Sequence, residues 1–280
     1  MERPSSSGVL ALIAGAGLLP EAVARGAASA GIPLVVYTPG SFPEGEMIPS
    51  VEGVDLLSLP GAEGKLNLGA LLADMKRREI AAVTLAGLVQ KENIYGPLGG
   101  AAFARILASG SNDDHALLGR IVAAFEAAGF PVISCASFLS DSLASEGYLA
   151  GPPMSDRDRE DVLYGRRILS VTLPLSFGQA VVVSARAVVA VEAMEGTDRM
   201  IRRCAPLVGG AGGAVVKMMR PDQDDRFDMP AVGPDTLTAM ADNGLTALAL
   251  EANRTIILDK KKFLSLAADL SISVEGLLPL

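Results

Sequence analysis

Residues 9–20 read Val9-Leu10-Ala11-Leu12-Ile13-Ala14-Gly15-Ala16-Gly17-Leu18-Leu19-Pro20. Six consecutive apolar side chains suit a strand buried on both faces, as in the middle of a parallel sheet. The two glycines then turn the chain, and Pro20 fits the first turn of a helix that carries on through Ala30. Gly31-Ile32-Pro33 closes that helix, and Leu34-Val35-Val36-Tyr37 predicts a second strand. A strand, a glycine turn, a helix and a second strand make the opening unit of a doubly wound α/β sheet.

Downstream the alternation continues. A short strand is expected near Val54–Leu57, a helix over Lys65–Arg78 and a strand over Ala81–Leu85, with Gly87 just past its end. Helices follow over Pro97–Ala108 and Asp113–Ala128, the second capped by Asn112 or Asp113, and Phe130–Ile133 closes the half as a strand. Leu149-Ala150-Gly151-Pro152-Pro153 reads as a linker. Ser155-Asp156-Arg157-Asp158 then resembles a capping box and starts a helix of about four turns. Strands are expected over Gln179–Ser184, Ala187–Met194, Ala214–Met219, Ala247–Glu251 and Thr255–Leu258, with hairpin turns at Ser184-Ala185-Arg186 and Asn253-Arg254. Helices at Asp198–Arg203, Asp235–Asn243 and Lys261–Leu270 cover that sheet. The fold class is therefore α/β. Residues 1–150 form a Rossmann-like parallel-sheet domain, and residues 155–280 form a second, α/β (α+β) domain.

Composition narrows the chemistry. Half of the 280 residues are hydrophobic and a fifth are charged, enough apolar surface for a packed core and against wholesale disorder. A net charge of −8 argues against nucleic acid, whose phosphates call for clustered Lys and Arg. Cys135 and Cys204 lie far apart and read as buried thiols of a reducing compartment. One histidine, His115, rules out paired-histidine metal sites, and its place beside two aspartates at a helix start suits a surface or capping role. Carboxylates without histidine pairs or paired thiolates favour an oxygen-ligated ion such as Mg²⁺. The apolar stretch Val9–Leu19 imitates a secretory signal, but Glu2 offsets Arg3, and Gly15, Gly17 and Pro20 interrupt it. No other stretch approaches the ~20 apolar residues of a membrane span. A soluble, cytoplasmic protein is expected.

Several segments could carry chemistry. Gly15 and Gly17 open a helix whose first N–H groups can receive a phosphate, although the plainer reading is a tight turn. As a dinucleotide fingerprint the loop is incomplete, since Pro20 replaces the third glycine and no acid ends the second strand. Gly61–Leu66 is no P-loop, because Leu59 and Leu66 occupy its glycine and Ser/Thr positions. In Val189–Asp198 an apolar strand runs into acids, and Glu192 lies inside the apolar run. An unpaired carboxylate there is costly, so Lys217, Arg226 or a metal is expected beside it. Thr197 or Asp198 can cap the following helix. Between Lys217 and Pro234, Asp222 and Asp225 read as solvated. If the stretch is extended, Asp224, Arg226 and Asp228 share one face, an array suited to a pyrophosphate. Lys260-Lys261-Lys262 reads as a solvated triplet.

Particular stretches carry a family resemblance: Leu12–Pro20, Gly64-Lys65, Ala86-Gly87, Asp113-Asp114 with Ala116-Leu117-Leu118, and Gly178-Gln179. The most specific are Val191-Glu192-Ala193 through Asp198, and Gln223-Asp224 through Arg226-Phe227-Asp228-Met229-Pro230 with Gly233-Pro234-Thr236. In this order they resemble the UDP-2,3-diacylglucosamine pyrophosphatase family of Gram-negative bacteria, the type unrelated to calcineurin-like phosphoesterases. The resemblance spans nearly the full length. It implies hydrolysis of UDP-2,3-diacylglucosamine to UMP and 2,3-diacylglucosamine 1-phosphate in lipid A biosynthesis, with Mg²⁺ or another divalent cation. It further implies a Rossmann-like N-terminal domain and a C-terminal α/β domain, with the lipid product held between them. The family's essential aspartate falls on Asp228, which would bind the metal or orient water. Arg226 and Lys217 would offset charge on the phosphoryl oxygens. Asp224, Glu192 and Asp198 are further metal-ligand candidates, and Gly15, Gly17, Leu19, Gln179 and Thr197 are candidate substrate-binding positions. Peripheral contact with the inner membrane surface and a homodimer stay open. The chain departs from the family pattern at Ala16, Asn112 and Asn253, and by the extra acid Asp225. Two rival readings are a nicotinamide-dependent oxidoreductase, resting on the glycine turn, and a non-catalytic nucleotide-sugar or lipid-binding protein.

Overall fold

Strand β1 (Val9–Ala14) pairs on one side with β2 (Leu34–Thr38) and on the other with β4 (Ile80–Ala86), all parallel. This computed structural model describes residues 8–38, 55–58, 68–87, 114–208, 212–226 and 229–280. With β3 (Asp55–Ser58) beside β2, the sheet order is β3-β2-β1-β4. The run Val9–Ala14 is central, as its unbroken hydrophobicity requires. Ala11, Val35 and Val83 project to the side covered by α2 (Leu68–Arg77) and α3 (Asp114–Ala127), where Leu71, Met75 and Phe125 are fully buried. Burying each such side chain stabilises the fold by about 1.5–3 kcal/mol. Helix α1 (Leu19–Ser29) packs on β1, β2 and β4 through Val23, Ala24 and Ala27.

By their contacts the residues divide into two units, Met1–Ser140 with Asp224–Asp228, and Asp141–Gln223 with Met229–Leu280. The second unit holds a six-stranded mixed sheet of order β5-β12-β10-β8-β6-β7. Its strands are β5 (Gly147–Ala150), β6 (Ala180–Ser184), β7 (Ala187–Val191), β8 (Ala214–Lys217), β10 (Ala247–Glu251) and β12 (Ser273–Leu277). Alternation along the strands divides the core. Val181, Val183, Val216 and Ala249 face α4 (Asp156–Thr172), with Val162 and Leu169. Val182, Val215, Leu248 and Val274 face the other way, toward α5 (Thr197–Arg202), α6 (Ala205–Val208), α7 (Pro234–Asp242) and α8 (Lys260–Asp269). A separate two-stranded ladder joins β9 (Ala231–Val232) to β11 (Ile256–Ile257). Among the described residues no helix is long and apolar enough to cross a membrane.

Several expectations change. The strand expected after α3 shrinks to one bridge, Val132 beside Val83, because Pro131 has no N–H and the chain coils at once into a 3₁₀ turn at Cys135–Phe138. Leu149 and Ala150, read as linker, lie in β5, which pairs antiparallel with β12. Asn253 does take the left-handed conformation (φ 61°), yet no hairpin forms there. The following residues leave the sheet and pair with β9. The Ser184–Arg186 hairpin forms as expected, with Ala185 and Arg186 both at positive φ and both backbone N–H groups bonded to the buried Asp161 carboxylate. At the start of α4 the Ser155 hydroxyl accepts from Asp158 N. The Asp158 carboxylate, however, accepts from that hydroxyl and from Thr246, not from the Ser155 backbone. The helix expected over residues 97–108 lies outside the described residues.

Candidate active site

Antiparallel pairing assembles one cluster in the second unit. Ala180 at the start of β6 lies opposite Lys217 at the end of β8, and Val181 lies opposite Val191 at the end of β7. Gln179, Lys217 and Glu192 therefore arrive at the same end of the sheet. Glu192 is buried, and its Oε2 accepts from Gln179 N at 2.9 Å. Its Oε1 accepts from the Thr197 hydroxyl at 2.6 Å. Lys217, also buried, donates from Nζ to that hydroxyl at 2.5 Å and lies 3.8 Å from Glu192 Oε1. The partner expected for Glu192 is thus Lys217, joined through Thr197.

Neither Thr197 nor Asp198 caps α5. Gly196 is the N-cap residue and has no side chain to cap with, while the Thr197 hydroxyl is taken by the charge pair. Asp198 Oδ1 accepts from the Thr236 hydroxyl at 2.8 Å, tying α5 to α7. The fully buried Glu251 accepts from Met219 N at 2.9 Å and from Arg254 at 3.0 Å, and Arg254 also reaches the carbonyl of Arg220. These bonds hold the chain as it leaves β8 for the acidic segment. Sequence reasoning missed this role, though the signal matched that of Glu192, an acid closing an apolar run.

The acidic segment itself belongs to the first unit. Asp224 and Arg226 do not alternate along an extended strand, as the one-face array required. Arg226 N donates to Asp224 Oδ1 at 3.0 Å, closing a turn, and the guanidinium folds back on the same carboxylate through Nε at 2.8 Å and Nη2 at 2.6 Å. A second carboxylate meets it from α3: Arg226 Nη1 donates to Glu126 Oε1 at 2.6 Å. These bonds use three of the five guanidinium N–H groups and leave two uncommitted among the described residues. The Ser134 hydroxyl donates to the carbonyl of Asp225 at 2.8 Å. Glu126 and Ser134 carry no local signal and were not foreseen. Asp222, expected to be solvated, is exposed and pairs with Arg220 at 2.6 Å. Asp228 lies outside the described residues.

In the glycine loop, Gly15 N donates to the carbonyl of Ala86 at 2.8 Å, and Gly17 takes a φ of 96°. Leu18 precedes α1 without a side-chain cap, and Leu19 opens it half-buried. Gly87 (φ 89°) lies so close that a Cβ there would stand 2.7 Å from the Ala16 carbonyl oxygen and 2.6 Å from Pro20. This is where the sheet order reverses direction between β1 and β4, the position at which open parallel sheets receive ligands.

The oxygens of Glu192 and Asp224, expected as metal ligands, accept from Gln179, Thr197 and Arg226. Among the described residues no three His, Cys, Asp or Glu side chains come together to hold an ion.

Comparison with known proteins follows the two halves. Residues 9–142 match the LpxI N-terminal domain and residues 145–275 match the LpxI C-terminal domain. The UDP-2,3-diacylglucosamine pyrophosphatase LpxI of Caulobacter vibrioides is 29% identical over 282 residues, covering 96% of this chain and 98% of that protein. A UDP-glucose 4-epimerase of Thermus thermophilus in complex with NAD aligns over 97% of this chain and 86% of its own, at 12% identity and a TM-score of 0.31, too low to carry an argument. With both of its domains matched in order and a relative aligned end to end, the chain belongs to the LpxI family.

Proposed function

We propose that this protein hydrolyses the pyrophosphate bond of UDP-2,3-diacylglucosamine, releasing UMP and 2,3-diacylglucosamine 1-phosphate for lipid A assembly. The observation that carries the reading is the end-to-end match to a relative of that name, 96% of one chain against 98% of the other. The geometry supports it. Water adds to one phosphorus, the anhydride P–O bond breaks, and negative charge grows on the departing phosphate oxygen. Arg226 is pre-oriented by two carboxylates and keeps two N–H donors for such an oxygen, which is electrostatic stabilisation without reorganisation. In the second unit the buried Lys217 ammonium, which spends one N–H on Thr197, has further N–H donors able to meet a phosphoryl or sugar oxygen. Exposed Phe177 and Met194, next in sequence to that cluster, offer apolar surface suited to acyl chains. A cytoplasmic location against the inner membrane surface belongs to the same reading.

A divalent cation is part of the proposal; when bound it would supply charge to the phosphoryl oxygens. Asp228 is the acid we assign to positioning the attacking water or the cation. The test is release of UMP from UDP-2,3-diacylglucosamine by purified protein, with Mg²⁺ and with excess chelator. Release that chelation abolishes, and a folded Asp228→Ala variant at least about 100-fold slower, are the expected results. No release from folded protein with Mg²⁺ overturns the hydrolase. Release that survives chelation removes the cation, and unchanged turnover in the variant removes Asp228.

A further inference from the structure

We infer that Glu126 and Ser134 are positioning residues for the Arg226 segment, acting on the reaction only through Arg226; this rests on the proposed hydrolysis. Glu126 is the penultimate residue of α3. A carboxylate there faces the negative end of the helix dipole, a placement that does nothing for the helix. Its bond is instead to Arg226, a hundred residues later, at 2.6 Å. Both side chains are partly exposed, and such pairs add little to stability, so what this contact supplies is orientation. Ser134 fixes the neighbouring backbone. It is buried, accepts from Ala136 N at 3.3 Å as cap of the 3₁₀ turn, and donates to the Asp225 carbonyl at 2.8 Å.

Three anchors thus hold two consecutive residues, Asp225 and Arg226. Asp224 grips the fork of Arg226 and its backbone N–H, Ser134 holds the carbonyl of Asp225, and Glu126 holds the outer nitrogen of Arg226. A guanidinium with two fixed edges has one direction left in which to present its remaining donors. The N-terminal unit therefore does more than support a glycine loop. It fixes the direction of a charge that the sequence places in the other half of the chain. In the sequence Asp228 follows Arg226 by two residues.

The test uses the full-length protein. In Glu126→Ala, kcat for UMP release should fall about tenfold with KM unchanged within about twofold, and Glu126→Gln, which keeps an acceptor oxygen, should recover much of the loss. Glu126→Ala combined with Arg226→Ala should be no slower than Arg226→Ala alone. Amide exchange at Arg226, measured without substrate, should quicken about tenfold in Glu126→Ala and in Ser134→Ala. A folded Glu126→Ala protein with unchanged exchange or unchanged kcat overturns the inference, as do losses that multiply in the double variant. Should the wild type release no UMP, the hydrolase reading fails, while the exchange arm still decides whether the anchors hold the segment.

Discussion

The hydroxyl of Thr197 lies 2.5 Å from the ammonium of Lys217 and passes its own proton toward Glu192, so a buried cation and a buried anion meet through one threonine. Thr197→Val keeps the shape and deletes the bridge, leaving a buried carboxylate oxygen and a buried ammonium proton short of a partner. Urea unfolding should show a loss of about 1–3 kcal/mol, restored by Thr197→Ser. Lys217→Ala should cost about 3–5 kcal/mol, since it leaves Glu192 buried without its countercharge. A Thr197→Val protein as stable as the wild type would show that the bridge carries no weight.

Gly87 answers to two constraints at once, a positive φ and the absence of room for a Cβ against the β1–α1 loop. Gly87→Ala must strain the backbone and push the Ala16 carbonyl and Pro20 away. A loss of about 2–4 kcal/mol is expected in thermal unfolding. A loss below about 0.5 kcal/mol would mean the loop yields freely.

Cys135 and Cys204 are both buried. Burial, and then the nearby Asp225 carboxylate, push the Cys135 thiol up to about 12. Burial likewise raises Cys204. An ordinary thiol is half ionised near pH 8.5, so an aromatic disulfide reagent at that pH should label neither cysteine in the folded protein and both after unfolding. Rapid labelling of the native protein would contradict this.

Asp74 accepts from the Tyr37 hydroxyl at 2.9 Å and from Arg78 at 2.8 Å, with Arg77 as a further partner. Burial pushes its carboxyl up, but the bonds from Arg77, Tyr37 and Arg78 outweigh that and hold it below the usual range. A depressed folded-state value contributes stability above the unfolded value of about 4 and loses it as pH falls through the folded one. The penalty of Asp74→Asn in denaturant unfolding should therefore be full at neutral pH and shrink below about pH 4. A penalty independent of pH would remove the ionised carboxylate from the account.

Local rules made parts of both units readable. An unbroken apolar run, a proline at a helix start and two adjacent residues at a hairpin each act within a few positions, and β1, α1 and the Ala185-Arg186 turn stand where those rules put them. Strand β12 escaped notice because Ser273-Val274-Glu275-Gly276-Leu277 mixes a serine, an acid and a glycine. Its burial comes from neighbours on both sides, not from its own composition. The same limit governs the site. An acid inside an apolar stretch announces that it needs a partner, and Lys217 could be named from twenty-five residues away. Nothing near Glu126 announces Arg226, since that pairing is made by topology alone.

The hundred residues between Glu126 and Arg226 are also an interval of time. Ribosomes add about 5–20 residues each second, so the carboxylate waits about 5–20 s for its guanidinium to be made. Until then the N-terminal portion of the newborn chain carries an unfilled berth, and the charge the reaction is proposed to use is seated only once most of the second portion has been synthesised. The nascent protein thus acquires its oriented arginine late, as a by-product of finishing its fold.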